Sequence, residues 1–188
     1  MVKNYNEVLY AHENIETTRL MLRKFRAEDA PNVLEIGSDP QTLEFLVWEG
    51  CANIDEAKAA IFDYYWSRPG IWAIALKDGD VAIGAIDLRL DHDNDKAGFG
   101  YALNRKYWGQ GYTTEALRAV LTLCFEHLQL NRVEANHYAG NEASGRVMQK
   151  AGMTREGCRA QSEKVKGVFR DTVHYGIIRA DYETTPDV

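Results

Sequence analysis

Cysteine is scarce in this 188-residue chain: Cys51, Cys124 and Cys158 lie far apart, with no CxxC pair among them. An odd, scattered set excludes a disulfide framework and reads as reduced thiols, so the expected compartment is the cytoplasm. The five histidines, His12, His92, His127, His137 and His174, show no HExxH or other ligand spacing, and no metal site is expected. Four prolines and 15 glycines are too few for a fibrous or low-complexity architecture. Long apolar runs are missing as well. The longest clean one, Ile71–Leu76, is far short of the ~20 residues of a membrane span. The opening stretch MVKNYNEVLYAHENIE has no apolar h-region, so neither membrane insertion nor export is expected. Positive charge is also in deficit. Lys+Arg total 22 against 28 Asp+Glu, and the net charge of −6 argues against a nucleic-acid partner while leaving room for a local basic site.

What is present suits one globular domain. Apolar residues make up 45% and charged residues 27%. Partial alternation over Thr17–Phe25 predicts a first strand. A short helical pattern over Ala27–Gly37 follows, stopped by Ser38-Asp39-Pro40. Asn53–Ser67 reads as a second helix, with Asn53 or Asp55 at its start and Pro69-Gly70 after it. Ile71–Leu76 and Val81–Leu90, joined by Asp78-Gly79-Asp80, form a hairpin pattern. A third strand over Ala97–Leu103 follows the polar tip Asp91–Lys96. Thr113–Leu128 carries the apolar stripe Leu117, Val120, Leu121, Cys124 and Leu128. Arg132–Tyr138 reads as a strand and Glu142–Ala151 as a helix. A closing pair over 154–165 and 168–180 turns at Lys166-Gly167. The order β-α-α-β-β-β-α-β-α-β-β predicts an α+β fold: a single mixed, mostly antiparallel sheet with helices on both faces. One domain is expected over 1–188, with its core at about 15–182 and a frayed end over Glu183–Val188.

The most informative segment is Asn104 through Ala116, NRKYWGQGYTTEA, between a strand and an amphipathic helix. Glycines there let a ligand approach the backbone, and the first helical N–H groups would point outward at the positive end of the helix dipole. Arg105 and Lys106 stand beside this ready pyrophosphate site. No G-x-x-x-x-G-K-[ST] is present, and Thr114 holds the place of the third glycine in a dinucleotide fingerprint. Taken alone, the segment supports a glycine-eased turn as well as it supports a phosphate site.

The order of elements and the run K-x-x-G-x-G-Y-x-T-E-A together resemble the GNAT superfamily of acetyl-CoA-dependent N-acetyltransferases. Lys106 stands where the family pattern has Gln or Arg, and it keeps a donor there. Thr17-Thr18-Arg19-Leu20-Met21-Leu22-Arg23 with Glu28-Asp29-Ala30 is similar to the opening of the branch that acetylates ribosomal-protein N-termini. Tyr107 to Tyr112 (YWGQGY), Asn141 to Ser144 (NEAS), Lys150 to Met153 (KAGM) and Glu156-Gly157 carry the same likeness. The resemblance spans about residues 15–182.

Several expectations follow from this resemblance. Acetyl-CoA would lie where the strand before the loop parts from its neighbour, with no metal taking part. Tyr101, Ala102 and Leu103 would offer backbone groups to the acetyl and pantetheine arm. One of those N–H groups would stabilise the oxyanion, an effect often worth ~3–4 kcal/mol. Lys106, Trp108, Gly109, Gln110, Gly111, Tyr112, Thr113 and Thr114 would surround the diphosphate, with Lys150 as a further cation. Asn141 would bind the pantetheine arm while capping its helix, and Ser144 would face the same end. The two commonest catalytic residues of the superfamily are missing, since Met148 and Gly98 stand where a Tyr acid and a Glu base would be. The branch likeness instead implies Glu163 as general base and Ser144 as hydrogen-bond donor to the thiolate. A serine hydroxyl is too weak an acid to surrender its proton to a thiolate near pKa ~8.5.

An α-amine of pKa ~8 is far more often neutral near pH 7.5 than a lysine of ~10.4, which suits a weakly activated base. The branch likeness also points to protein N-termini as acceptors, and the acidic excess of the chain suits a cationic partner. Glu44, Trp48, Glu49, Tyr64, Tyr65 and Tyr175 are candidates for the acceptor groove. A homodimer is an expectation of the family resemblance. Three readings stay open at this point: a protein N-terminal acetyltransferase, an acetyltransferase of small amines (polyamine, amino acid or aminoglycoside), and a non-catalytic acyl-CoA-binding module.

Overall fold

The structure is a computed structural model that describes residues 4–184. Eight strands form one sheet in the order β1-β2-β3-β4-β5-β6-β8-β7. They are β1 (Ile15–Glu16), β2 (Leu20–Arg23), β3 (Ile71–Leu76), β4 (Ala82–Asp91), β5 (Lys96–Leu103), β6 (Arg132–Tyr138), β7 (Thr154–Val165) and β8 (Val168–Ile178). Every neighbouring pair is antiparallel except β5 and β6. The helices are α1 (Tyr5–Ala11), α2 (Ala30–Ser38), α3 (Pro40–Leu43), α4 (Ile54–Ala59), α5 (Tyr112–Thr122), α6 (Glu142–Lys150) and α7 (Arg179–Thr184). Both α4 and α5 run on into wider π-wound turns, Ala60–Tyr65 and Leu123–His127. Among the described residues no helix is long and apolar enough to cross a membrane.

The two faces of the sheet are packed differently. On one face Trp72, Ile74, Ile83, Ile86, Leu88, Phe99 and Val133 meet Leu117, Val120, Leu121 and Met148 of α5 and α6. On the other, Ala73, Ala82 and Ala85 meet Val33 of α2, Ala57 of α4 and Ile61 of the π-wound turn that continues α4. Alternation along the strands sends large side chains to one side and alanines to the other. Burial on both faces is why Ile71–Leu76 reads as an unbroken apolar run.

Several boundaries differ from the sequence reading. The expected strand over Thr17–Phe25 is present as β2, Leu20–Arg23, but Thr17–Arg19 form the turn before it, because the Thr17 N–H and Oγ1 both bond the Leu20 carbonyl. Pro40 stops α2 and, with Asp39 capping Thr42, starts α3. The N-terminal helix α1 was not expected, since only Tyr5 and Leu9 of its seven residues are buried. At the other end Glu183 belongs to α7; of the expected frayed end, residues 185–188 lie outside the described part.

The sheet's most constrained polar group is Arg23, at 2% exposure. Its Nη1 and Nη2 donate to the two Asp29 oxygens at 2.8 and 2.9 Å, and Nε donates to Asp80 Oδ1 at 2.7 Å. The remaining N–H bonds go to the carbonyls of Lys24 and Asp80, both at 3.1 Å. All five guanidinium donors are therefore used, which is what makes a buried charge tolerable. The network ties β2 to the entrance of α2 and to the β3–β4 turn.

Truncating Asp29 strands two donors of the buried guanidinium, which keeps Asp80 as its remaining charged partner. Asp29→Ala should lower unfolding free energy by about 1.5–3 kcal/mol in urea denaturation with an unchanged slope. Lys24→Ala, which removes a 4.0 Å exposed pair with Glu13, should leave the midpoint nearly in place.

Candidate active site

Strands β5 and β6 pair through only three positions, Lys96↔Arg132, Ala97↔Val133 and Gly98↔Glu134. Beyond Gly98, β5 stays on β4 as far as Leu103, while β6 stays on β8 as far as Tyr138. The edge of β5 that faces β6 is released from the ladder there. A groove of about 610 Å³ runs from this opening to the start of α5.

The groove's loop is held by its own polar groups. Asn104 Oδ1 accepts from the Lys106 N–H at 3.0 Å, and Trp108 Nε1 donates to the Leu103 carbonyl at 2.7 Å. Gly109 and Gly111 sit at φ 74° and 82°, the left-handed region. A Cβ would meet nothing near Gly109, so glycine is needed there for backbone conformation rather than for space. Gly111 is the N-cap of α5 and supplies no side-chain cap, which leaves the first-turn N–H groups available to an anion.

Across the groove, Asn141 Oδ1 caps α6 through the Ser144 N–H at 3.3 Å. The phenol of Tyr101, rising from β5, meets Ser144 Oγ at 2.7 Å, where either hydroxyl can donate, and its one proton has the Ser144 carbonyl at 3.1 Å as the alternative acceptor. Burial pushes the Tyr101 phenol up to about 12, so it keeps its proton at neutral pH. Gly145 brings α6 close to the sheet, since a Cβ there would lie 2.9 Å from both His137 Nε2 and Tyr175 Oη.

Most of the residues expected to touch the cofactor come together here. Tyr101, Ala102, Leu103, Trp108, Gly109, Gly111, Tyr112, Thr113, Thr114, Asn141, Ser144 and Lys150 all line the groove. Two do not. Lys106 Nζ turns away to an ion pair with Glu35, and Gln110 Nε2 folds back onto the Lys106 carbonyl at 3.1 Å. Arg105 pairs with Asp39 at 3.2 Å. Met148 is buried in the main core at 1% exposure, where it packs rather than reacts.

Glu163 lies on β7, outside the lining of the groove, and Tyr138 Oη donates to its Oε2 at 2.8 Å. Burial and that carboxylate push the Tyr138 phenol up to about 12. Of the acceptor candidates only Glu44 lines the groove. Tyr65 stacks on Phe25 at 4.1 Å, Tyr64 donates to Asp87 at 3.2 Å, and Tyr175 is buried beneath α6. Trp48 packs with the α2–α4 cluster, and Glu49 stands 3.9 Å from Lys166. Among the described residues no group of three or more His, Cys, Asp or Glu could hold a metal ion.

Sequence reasoning missed Arg19 as a site residue. Its Nη1 donates to the Gln110 carbonyl at 3.0 Å, its Nε to Glu115 at 2.6 Å, and its guanidinium lies 4.3 Å from the Tyr112 ring centre. Arg19 thereby sutures the glycine loop to the β1–β2 hairpin, and the only signal in the sequence was its place in the T-x-R-L-x-L-R run.

Residues 19–154 match the family model described as an acetyltransferase (GNAT) domain. The N-acetyltransferase p20 of Bacillus licheniformis is 28% identical over 175 residues, covering 90% of this chain and 98% of that protein. YdaF of Bacillus subtilis, described provisionally as a ribosomal N-acetyltransferase, is 37% identical over 120 residues, 63% of this chain and 65% of its own. Among solved structures, a GNAT-family acetyltransferase from Bacillus anthracis superposes with a TM-score of 0.81 at 26% identity, covering 89% of this chain and 99% of that one.

Trp108 lines the groove at 46% exposure, whereas Trp72 is fully buried. CoA titrated into the protein should therefore change its tryptophan emission, and Trp108→Phe should abolish most of that change. A signal that survives the substitution would place binding elsewhere.

Proposed function

The chain belongs to the GNAT acetyltransferases, and from that premise we propose that this N-acetyltransferase acts on the α-amine of a protein N-terminus, with ribosomal proteins as the favoured class. The observation that carries the reading is the continuous groove that joins the uncapped start of α5 to the opening between β5 and β6. One end offers N–H groups to a diphosphate, and the other offers an unpaired strand edge to a thioester. The similarity to YdaF and the T-x-R-L-x-L-R opening favour a protein acceptor over a small amine.

In this reading the diphosphate of acetyl-CoA is held by the amides of Gly111, Tyr112, Thr113 and Thr114, with Lys150 adding charge. The pantetheine arm runs past Asn141 and along residues 101–103. Amine attack forms the C–N bond and moves the carbonyl electrons onto oxygen, where a β5 amide stabilises them. Glu163, oriented by the Tyr138 phenol, takes the proton of the attacking nitrogen through water. Collapse breaks the C–S bond, and Ser144 hydrogen-bonds the departing sulfur. Lys106 and Gln110 act one step back in this scheme, Gln110 through the carbonyl that Arg19 fixes.

Thioester loss should be followed with basic N-terminal peptides, spermidine, free amino acids and an aminoglycoside as acceptors. Peptides should be turned over with the highest kcat/KM, and that advantage should fall as salt rises, because the chain carries a net −6. A small amine outperforming every peptide would refute the protein acceptor, and acetyl-CoA binding with no turnover at all would refute catalysis. With the best acceptor, Glu163→Gln should reduce kcat by roughly 10²–10⁴-fold while leaving acetyl-CoA affinity unchanged.

A further inference from the structure

The site contains one well-placed acid that the scheme above leaves unused. Tyr101 projects from β5 at the point where the strand has left β6, its phenol lines the groove, and it stands 2.7 Å from the hydroxyl that would meet the sulfur. We infer that Tyr101 is the source of the proton delivered to the leaving thiolate, passed through Ser144 as a two-hydroxyl relay, and that it does the work of the acid missing at Met148. This rests on the catalytic reading above, though not on the identity of the acceptor.

As the C–S bond breaks, its electron pair goes to sulfur, and sulfur takes the Ser144 hydroxyl proton. Ser144 Oγ takes the phenol proton in the same event, so serine ends as it began and Tyr101 ends as phenolate. The proton lost by the acceptor nitrogen to Glu163 returns to the phenolate through solvent, leaving amide and free CoA thiol. The relay lessens the weakness of serine as an acid, because Ser144 only transmits a proton and a phenol, a stronger acid than an alcohol, supplies it. Burial still leaves the phenol a weaker acid than a thiol, so the transfer accompanies C–S cleavage and is drawn forward by reprotonation of the phenolate with the proton that Glu163 collects.

Three neighbouring observations support the arrangement. Asn141 fixes the N-terminal turn of α6, which sets the Ser144 Oγ position. Gly145 lets that turn descend onto β6 and β8, and a larger residue there would lift Ser144 off Tyr101. The ring of Tyr101 also stacks with Phe99 at 6.0 Å, which limits its swing.

The test compares wild type, Tyr101→Phe, Ser144→Ala and the double variant. Thioester absorbance is followed both with the best amine and with water alone as acceptor, using acetyl-CoA and an acetyl thioester of a more acidic thiol. Each single variant should lose about 10²-fold in kcat with acetyl-CoA, the double variant should lose no more than either, and acetyl-CoA affinity should hold. With the acidic leaving group the loss should shrink to a few-fold, which a merely structural defect would not allow. A Tyr101→Phe enzyme as fast as wild type would overturn the relay. So would additive losses in the double variant, or a loss insensitive to the leaving group. If no peptide is turned over but hydrolysis shows this pattern, the acceptor assignment fails and the relay stands.

Discussion

Backbone hydrogen bonds have to be made somewhere, and β5 and β6 each make theirs with an outer neighbour. β5 pairs with β4 at eight positions and β6 with β8 at seven, against three between themselves. Twist accumulating on the two sides pulls the inner pair apart as soon as that short parallel contact ends. The opening is thus a by-product of how the two halves of the sheet satisfy themselves. It leaves a strand edge unpaired in the middle of the sheet, covered by α6 and the glycine loop instead of by another strand. The groove, the loop's position and the meeting of Tyr101 with Ser144 all depend on that separation.

Three elements were legible residue for residue, Ile71–Leu76, Arg132–Tyr138 and Thr154–Val165. The first is bracketed by Pro69-Gly70 and Asp78-Gly79, so local chemistry marks both its ends. The hairpin at Thr17 was not legible, since a single side chain captures the carbonyl that would have continued the strand. Helix α1 was missed for another reason. Tyr5 and Leu9 become core residues only once the sheet gives them a surface.

The site divides along similar lines. Residues whose contribution is local, such as Gly109 and Gly111 at positive φ and Asn141 capping the helix it starts, are encoded within a few positions of themselves and could be found by pattern. Residues whose contribution is a side chain reaching another element could not. Lys106 turns to Glu35, Arg19 reaches back to the glycine loop, and the Tyr101 phenol crosses to α6; each contact is set by packing between distant segments. Glu163 is named in the sequence through its likeness to a family pattern, whereas its partner Tyr138, on a different strand, is set by packing.

Strand β7 carries Glu163 at the open edge of the sheet, with 11 of its 12 residues short of full burial. Such an edge is a template on which another chain could add a strand. Here its pairing with β8 slips twice, at Arg155/Gly157 and at Arg159/Glu163, and Arg155, Glu156, Arg159, Glu163 and Lys164 crowd it with charge. Kinks and charges of both signs spoil the flat, apolar register that cross-strand stacking between molecules requires. The slips and charges that make this edge a poor template for another strand therefore sit on the same stretch as the proposed base, Glu163.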